Sequence, residues 1–341
     1  MTQHAIPPPA VSVAIVTHDS ATDLPACFAA LAAQDFHDFE VVAVDCASAD
    51  DSVEAARTLE LGGAVRKVVA LSDNRGFAGG MNEALRHAAA PHVLALNPDA
   101  RLRPDCLRRL HGRAASPPAG LRLAAVTPRL VRPAEGVEPR RLDACGMVLV
   151  RAWRHLDRGS GELDRGQYGE PERVFGATGA VVLYARRALD DVALGGEVFD
   201  AAFHTFREDA ELCFRFQERG WEVLYEPGAV AEHRRTVVPR RRRLLPAVYN
   251  YHSLKNRYLL RAYHQTAGNF WRTLAPALAR DLLALVYVLA RERTSLAAYG
   301  WLWRHRREIR DRRRRIRARR TAPASAVERW FSRQALPLER E

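Results

Sequence analysis

Short apolar runs alternate with amphipathic stretches from the start of the chain. After a proline-rich lead, VSVAIVT (11–17) reads as a buried strand, and DLPACFAALAAQ (23–34) as a helix with Pro25 tolerated in its first turn. FEVVAVD (39–45) predicts a second strand, DDSVEAARTLE (50–60) a second helix, and VRKVVAL (65–71) a third strand. GGMNEALRHAAA (79–90) predicts a helix, HVLALN (92–97) a strand and RPDCLRRLHGR (103–113) another helix. Short apolar strands alternating with helices imply an α/β fold with a doubly wound, mostly parallel sheet.

From residue 142 to 175 the pattern weakens. DRGSGELDRGQYGEPE (157–172) is polar and glycine-rich and predicts a long loop. FGATGAVVLYARRAL (175–189) resumes a strand and a helix. A further helix opens near Glu208 and Asp209, with Leu212, Cys213 and Phe216 on its buried face. EVLYEPGAVAEH (222–233) reads as a last strand ending near His233.

Such sheets bind ligands beyond the carboxyl ends of their strands. A dinucleotide would want G-x-G-x-x-G in the first strand-to-helix turn, but that turn, THDSATD, has no glycine. The glycines come later, in NRGFAGGMNEAL, where Gly76, Gly79 and Gly80 read either as a flexible helix start or as backbone that approaches a sugar-phosphate near a helix N-terminus.

Thr17, Asp45, Asp99, the Glu208-Asp209 pair and His233 all fall at strand ends or a helix start. Each has an ordinary explanation as a turn residue, a cap or a structural histidine. Their combination suits sugar transfer from a nucleotide diphosphate. The leaving diphosphate gains charge, which a divalent cation on carboxylate oxygen would stabilise. Asp99 supplies that oxygen, and imidazole from His233 shifts the preference from Mg²⁺ towards Mn²⁺. The acceptor hydroxyl needs a separate base, for which Asp209 beside Glu208 is the candidate.

The ordered series VSVAIVTHDS, VVAVDCASADDS, NRGFAGGMNEAL, LALNPDARL, FGATGAVVLYARRAL, FDAAFHTFREDAELCFRFQERGW, PGAVAEH and HSLKNRYLL resembles the family 2 glycosyltransferases of GT-A fold. Within them it is similar to the bacterial rhamnosyltransferase-like branch. The resemblance implies that Thr17, Asp19 and Asp45 hold the nucleotide, with Asp45 reading the base. Asn74, Gly76, Phe77 and Asn97 would lie along the donor. Asp99 would be the last acid of the metal-binding D-x-D motif, His233 the late metal ligand, and Asp209 the base. Gly176, Ala177, Thr178 and Gly179 would line the acceptor side. Glu211 stands where the acid motif usually has a second Asp, and Cys46 where Asn is usual.

Charge divides the chain. The net charge is +12, yet residues 234 to 320 hold about twenty-four Lys and Arg against about four acids. The rest is acidic. The longest apolar run in this basic region, residues 282 to 290, is nine residues long. A spanning helix needs about twenty, so the region predicts helices lying on the inner membrane face, with Trp271, Tyr287, Trp301 and Trp303 at the interface. The alternative is a solvated basic helix packed on the catalytic domain, with Glu308–Arg312 and Asp311–Arg315 pairs. No nucleic-acid-binding signature accompanies the arginines. Five scattered cysteines and no secretion signal suggest a reducing compartment.

The expected organisation is a lead over 1–10, a GT-A catalytic domain over 11–235, a basic helical region over 236–320 and a mobile tail over 321–341. The expected function is inverting, metal-dependent transfer of a sugar, rhamnose from a dTDP donor, to a cell-envelope or lipid-linked glycan in the cytoplasm at the membrane. The rivals are a non-catalytic protein of the same fold that binds membrane or glycan, and a nucleotidyltransferase. The latter would carry a basic, glycine-rich loop after its first strand, which THDSATD is not.

Overall fold

A computed structural model describes residues 7–134, 140–235 and 246–338. The arginine run 240–243 and the first six residues of the lead lie outside the described residues. The first half alternates strand and helix: β1 (Val11–Thr17), α1 (Leu24–Ala32), β2 (Phe39–Cys46), α2 (Ser52–Thr58), β3 (Val65–Leu71), α3 (Gly76–His87), β4 (His92–Leu96), β5 (Ala100–Leu102) and α4 (Cys106–Ala115). Then come β6 (Leu123–Val131), β7 (Leu142–Ala144), β8 (Met147–Val150), β9 (Arg154–Asp157), β10 (Glu172–Val174), β11 (Val181–Ala185) and α5 (Arg186–Val192). After these come α6 (Glu208–Glu218) and β12 (Glu222–His233). Four helices, α7 (Ala247–His264), α8 (Ala267–Arg291), α9 (Ala297–Arg304) and α10 (Arg306–Ala318), precede α11 (Ser325–Glu328) and β13 (Ala335–Leu336).

The main sheet runs β13-β10-β12-β6-β11-β4-β1-β2-β3. β3, β2, β1 and β4 are mutually parallel, whereas β11 is antiparallel to both β4 and β6. The expected α/β architecture is therefore present, with a mixed second half. Val11, Val13 and Ile15 face one core layer, while Ala14, Val42 and Val44 face the other. Burial on both faces explains why these strands read as unbroken apolar runs rather than alternating ones. The strand order reverses between β1 and β4, which is where α/β sheets open a binding crevice.

Several expectations change. α3 begins at Gly76, three residues before the expected Gly79, because Gly76 adopts a left-handed φ of 65° that turns the chain into the helix. The weak region before the polar loop contains β7 and the hairpin β8–β9, strands too short to show a period. Nor is β12 the last strand: β13 pairs with β10.

The described part of the expected mobile tail, 321–338, instead packs on the body. Trp330 is fully buried, and its indole N–H donates to Gln217 Oε1 at 3.0 Å. Of the expected pairs on α10, Arg312 reaches Asp200 at 3.0 Å rather than Glu308, and Asp311 pairs with Arg314. α8 is one continuous helix of 25 residues, long and apolar enough to cross a membrane by length and composition, although its longest apolar run is short.

Candidate active site

Asn97-Pro98-Asp99-Ala100 forms a tight turn in which Ala100 N–H donates to the Asn97 carbonyl at 3.1 Å. Proline, with φ fixed near −65°, suits the second position of such a turn. The chain then enters β5, which pairs antiparallel with the end of β12, placing Ala100 opposite His233. Arg234 N–H donates to the Asp99 carbonyl at 3.1 Å. This pairing is what brings a strand-end acid against a distant histidine: His233 Nε2 lies 3.2 Å from Asp99 Oδ1.

The other imidazole nitrogen, Nδ1, lies 2.7 Å from Oδ2 of fully buried Asp143 on β7. Asp143 in turn meets Arg235 Nε at 2.8 Å, and Arg235 also pairs with Asp157 at the end of β9. Burial alone would lower the pKa of His233, but Asp143 and Asp99 outweigh it and raise it to about 9. Asp143, Asp157 and Arg235 escape a linear reading. The one signal for Asp143 is an acid flanked by Leu142 and Ala144 in a three-residue strand.

Asp99 and His233 form a donor set that fits a divalent cation. A carboxylate oxygen and an imidazole nitrogen converge, with the imidazole oriented from behind by Asp143, as metal-ligating histidines are. Among the described residues no group of three or more His, Cys, Asp or Glu side chains forms a cage. The remaining coordination positions would therefore belong to donor oxygens and water.

Asp209 sits in the first turn of α6. Its Oδ2 accepts from Gly179 N–H at 3.0 Å, and its Oδ1 from Ala210 N–H at 2.7 Å. Burial is the main cause that raises its pKa to about 6; the two backbone N–H groups oppose that, and the charge of Asp157 adds to it. Burial and the charge of Asp209 push Glu208 well above the ordinary carboxylate range. The residue next to Gly179 completes the link: the Ala180 carbonyl accepts from Asn97 N–H at 2.8 Å. One short segment thus ties Asp209 on one side to the Asn97–Asp99 turn on the other.

Glu211 faces away. Fully buried, it binds Arg215 at 2.7 Å and lies 3.5 Å from His264 of α7, which together hold its carboxyl below the usual range despite the burial that opposes them. The position that departs from the family pattern is therefore a structural anchor between α6 and α7.

The expected donor residues gather at the β1–β4 rim but differ in access. Thr17 and Asp45 sit opposite each other in register, and both are buried. Asp45 Oδ1 accepts from Thr17 Oγ1 at 2.8 Å, and Oδ2 accepts from Ser48 N–H at 2.9 Å. Ser48 Oγ also donates to Oδ1, so both carboxylate oxygens hold the loop after β2. Asp19, exposed with φ 49°, accepts from Ala49 N–H at 2.8 Å and ties the first turn to that loop. Asn74 Oδ1 accepts from Gly76 N–H at 2.8 Å, which sets the turn into α3. Phe77 leans on Gly179, where an added Cβ would meet its ring at 3.2 Å.

On the expected acceptor side, Gly176 and Ala177 are buried packing positions, and a Cβ at Gly176 would meet Cys213 Sγ at 2.5 Å. Gly179 meets the site through its N–H to Asp209, and Thr178 is half-buried.

The loop before α6 carries strain. His204, Phe206 and Arg207 have φ of 62°, 68° and 74°, a region costly for residues with a Cβ. Asn256, fully buried on α7, holds this loop by donating from Nδ2 to the carbonyls of Phe203, Thr205 and Phe206 at 2.7–2.8 Å. Lys255 donates to the Ala202 carbonyl. On its other side the loop meets α3, where Ala78 N–H donates to the His204 carbonyl at 3.0 Å. The only sequence signal for Asn256 is the Lys-Asn-Arg triplet between Leu254 and the apolar Tyr258-Leu259-Leu260.

Among solved structures, the chain is similar to GalNAc-T7 crystallised with UDP, GalNAc and Mn²⁺, at 14% identity and a TM-score of 0.52. That match covers 66% of this chain and 44% of the GalNAc-T7 chain, so this chain spans less than half of that protein's length. It is also similar to the mannosyltransferase PcManGT from Pyrobaculum calidifontis in complex with GDP-Man and Mn²⁺, at 19% identity and a TM-score of 0.52. That match covers 96% of this chain and 89% of PcManGT. At such identities the likenesses establish the GT-A fold alone. No curated protein matches the sequence. The sequence profile described as Glycosyl transferase family 2 matches residues 12–192, just over half of the 341 residues. The chain belongs to glycosyl transferase family 2.

Proposed function

We propose that this protein is an inverting, metal-dependent glycosyltransferase that moves a sugar from a nucleotide diphosphate to a glycan hydroxyl. The observation that carries the reading is the shared segment Gly179-Ala180. It holds Asp209, an acid raised to about 6, beside the turn that presents Asp99 to His233. Base and cation site are thus fixed to each other through backbone.

Asp209 would accept the proton of the acceptor hydroxyl as that oxygen attacks, and a pKa near the working pH suits a general base. Attack by an acceptor activated on the side opposite the leaving group inverts the anomeric centre. A divalent cation held by Asp99 and His233 would neutralise the charge that develops on the leaving diphosphate. Both solved relatives named above were crystallised with Mn²⁺ and a nucleotide or nucleotide sugar. The rhamnosyltransferase-like motifs support dTDP-rhamnose as donor and a cell-envelope or lipid-linked glycan as acceptor. The basic helical region supports work at the cytoplasmic face of the plasma membrane.

Calorimetric titration of dTDP, UDP and GDP, each with Mn²⁺ and with EDTA, tests this reading. The expected result is metal-dependent binding of dTDP above the others, followed by rhamnose release from dTDP-rhamnose. Metal-independent binding would remove the roles of Asp99 and His233. No binding of any diphosphate to folded protein would favour the non-catalytic rival.

A further inference from the structure

α8 is built inside out. A helix packed on a soluble domain normally turns its apolar stripe inward and its charges outward. Here the inward side carries polar ties. Thr273 Oγ1 accepts from the buried Trp153 indole at 2.9 Å, and Asp281 accepts from Arg257 at 2.7 Å and Arg261 at 2.6 Å, both on α7. The outward side carries Trp271, Leu278, Leu282, Leu283, Val286 and Leu289, with Trp271 75% and Leu283 and Val286 each 64% exposed. These positions recur at helical spacing, and from 271 to 289 the stripe is about 27 Å long. Contiguous apolar surface of this extent marks a binding surface.

We propose that this face of α8 is a membrane-docking surface, and that the helix lies flat with its outward stripe among the acyl chains of an anionic bilayer. Charge selects that occupant. Arg272 and Arg291 on α8 and Arg293 and Arg304 in the chain that follows it are exposed, and the segment from 246 to 320 holds about eighteen Lys and Arg against about four acids. A second copy of this chain would bring those positive charges together, whereas anionic headgroups oppose them. Exposed Trp303 on α9, with Arg306 over its ring at 4.4 Å, is a residue type that settles at the headgroup level.

The same contacts argue against spanning. Asp281 sits mid-helix in ion pairs to α7, and α7 is packed on the catalytic body through Asn256 and Leu260. A spanning α8 would break those pairs or draw Arg257, Arg261 and Asp281 into hydrocarbon. The arginines thus attract, while the apolar stripe holds. This inference deepens the proposed function and rests on it only for the choice of the cytoplasmic leaflet.

The test is flotation of the full chain with vesicles of phosphatidylglycerol and phosphatidylcholine in equal parts, and with phosphatidylcholine alone. Native protein should float with the anionic vesicles. The double variant Leu283→Glu/Val286→Glu should bind at least tenfold more weakly while keeping its melting temperature and its binding of nucleotide diphosphate. Three results would overturn the proposal. Native protein could stay unbound. The double variant could bind as well as native, leaving the arginines alone responsible. Or native protein could be a dimer by analytical ultracentrifugation that the variant converts to monomer, assigning the stripe to a second copy. Nucleotide binding on the same samples reads the transferase assignment separately, so the two can fail independently.

Discussion

Asp209→Asn should slow transfer sharply and, above pH 6, make the protein more stable. The carboxyl of Asp209 is raised from its ordinary value of 3.8 to about 6, mainly by burial. A group that holds its proton more tightly folded than unfolded costs stability once both states have lost it. Roughly two pH units of difference amount to about 3 kcal/mol. That cost is fully present above about pH 6, shrinks as pH falls towards 3.8, and is absent below it. The amide removes it.

The amide also loses something. Asp209 accepts from Gly179 N–H on one oxygen and from Ala210 N–H on the other. Asparagine offers a single oxygen, so one N–H is left facing an amino group, at about 1–2 kcal/mol. The net expectation is a variant more stable by about 1–2 kcal/mol at pH 8 and no more stable than native near pH 4. Urea unfolding at pH 8, 6 and 4 measures this. Loss of a general base should also slow transfer by about 10²–10⁴-fold. A stability difference that does not change between pH 8 and pH 4 would refute the raised carboxyl. Transfer within tenfold of native would refute its role as base.

Other consequences follow from the same contacts. The native transfer rate should fall as pH drops through about 6, as Asp209 gains its proton; a rate flat from pH 5 to 8 would contradict this. Asn256→Leu removes the donor that satisfies three carbonyls of the strained loop, so it should lower stability by about 1–3 kcal/mol and reduce kcat more than donor affinity. Denaturant unfolding and steady-state kinetics check that split, and unchanged kcat would confine Asn256 to a structural role. Trp330→Ala empties a fully buried site and should cost about 3–5 kcal/mol by denaturant unfolding, where a mobile tail would give no change.

Along the chain alone, the strands β1 to β4, the helices between them and the turn at Asn97-Pro98-Asp99 are all legible. Their signals are local: apolar runs, buried on both faces in β1, β2 and β4, helical spacing, and a proline that sets φ. The acids Asp99 and Asp209 and the histidine His233 are legible as strand-end and helix-start residues, and the family motifs assign them roles. Their partners are not legible. Asp143, Arg235 and Asp157 join His233 only because β5 pairs with β12 while β7 and β9 lie alongside, a fact of sheet order rather than of spacing. Asn256 reaches the loop before Asp209 across about fifty residues of chain, so no local window contains both.

Composition leaves two features of the last hundred residues undecided. A polar, proline-containing tail looks mobile until Trp330 finds a pocket beside Gln217. α8 looks like interrupted apolar sequence until Asp281 turns inward to Arg257 and Arg261 and leaves the leucines outside. Periodicity shows that a helix has two faces. Which face meets the protein is decided by where the complementary charges of a neighbouring helix happen to lie.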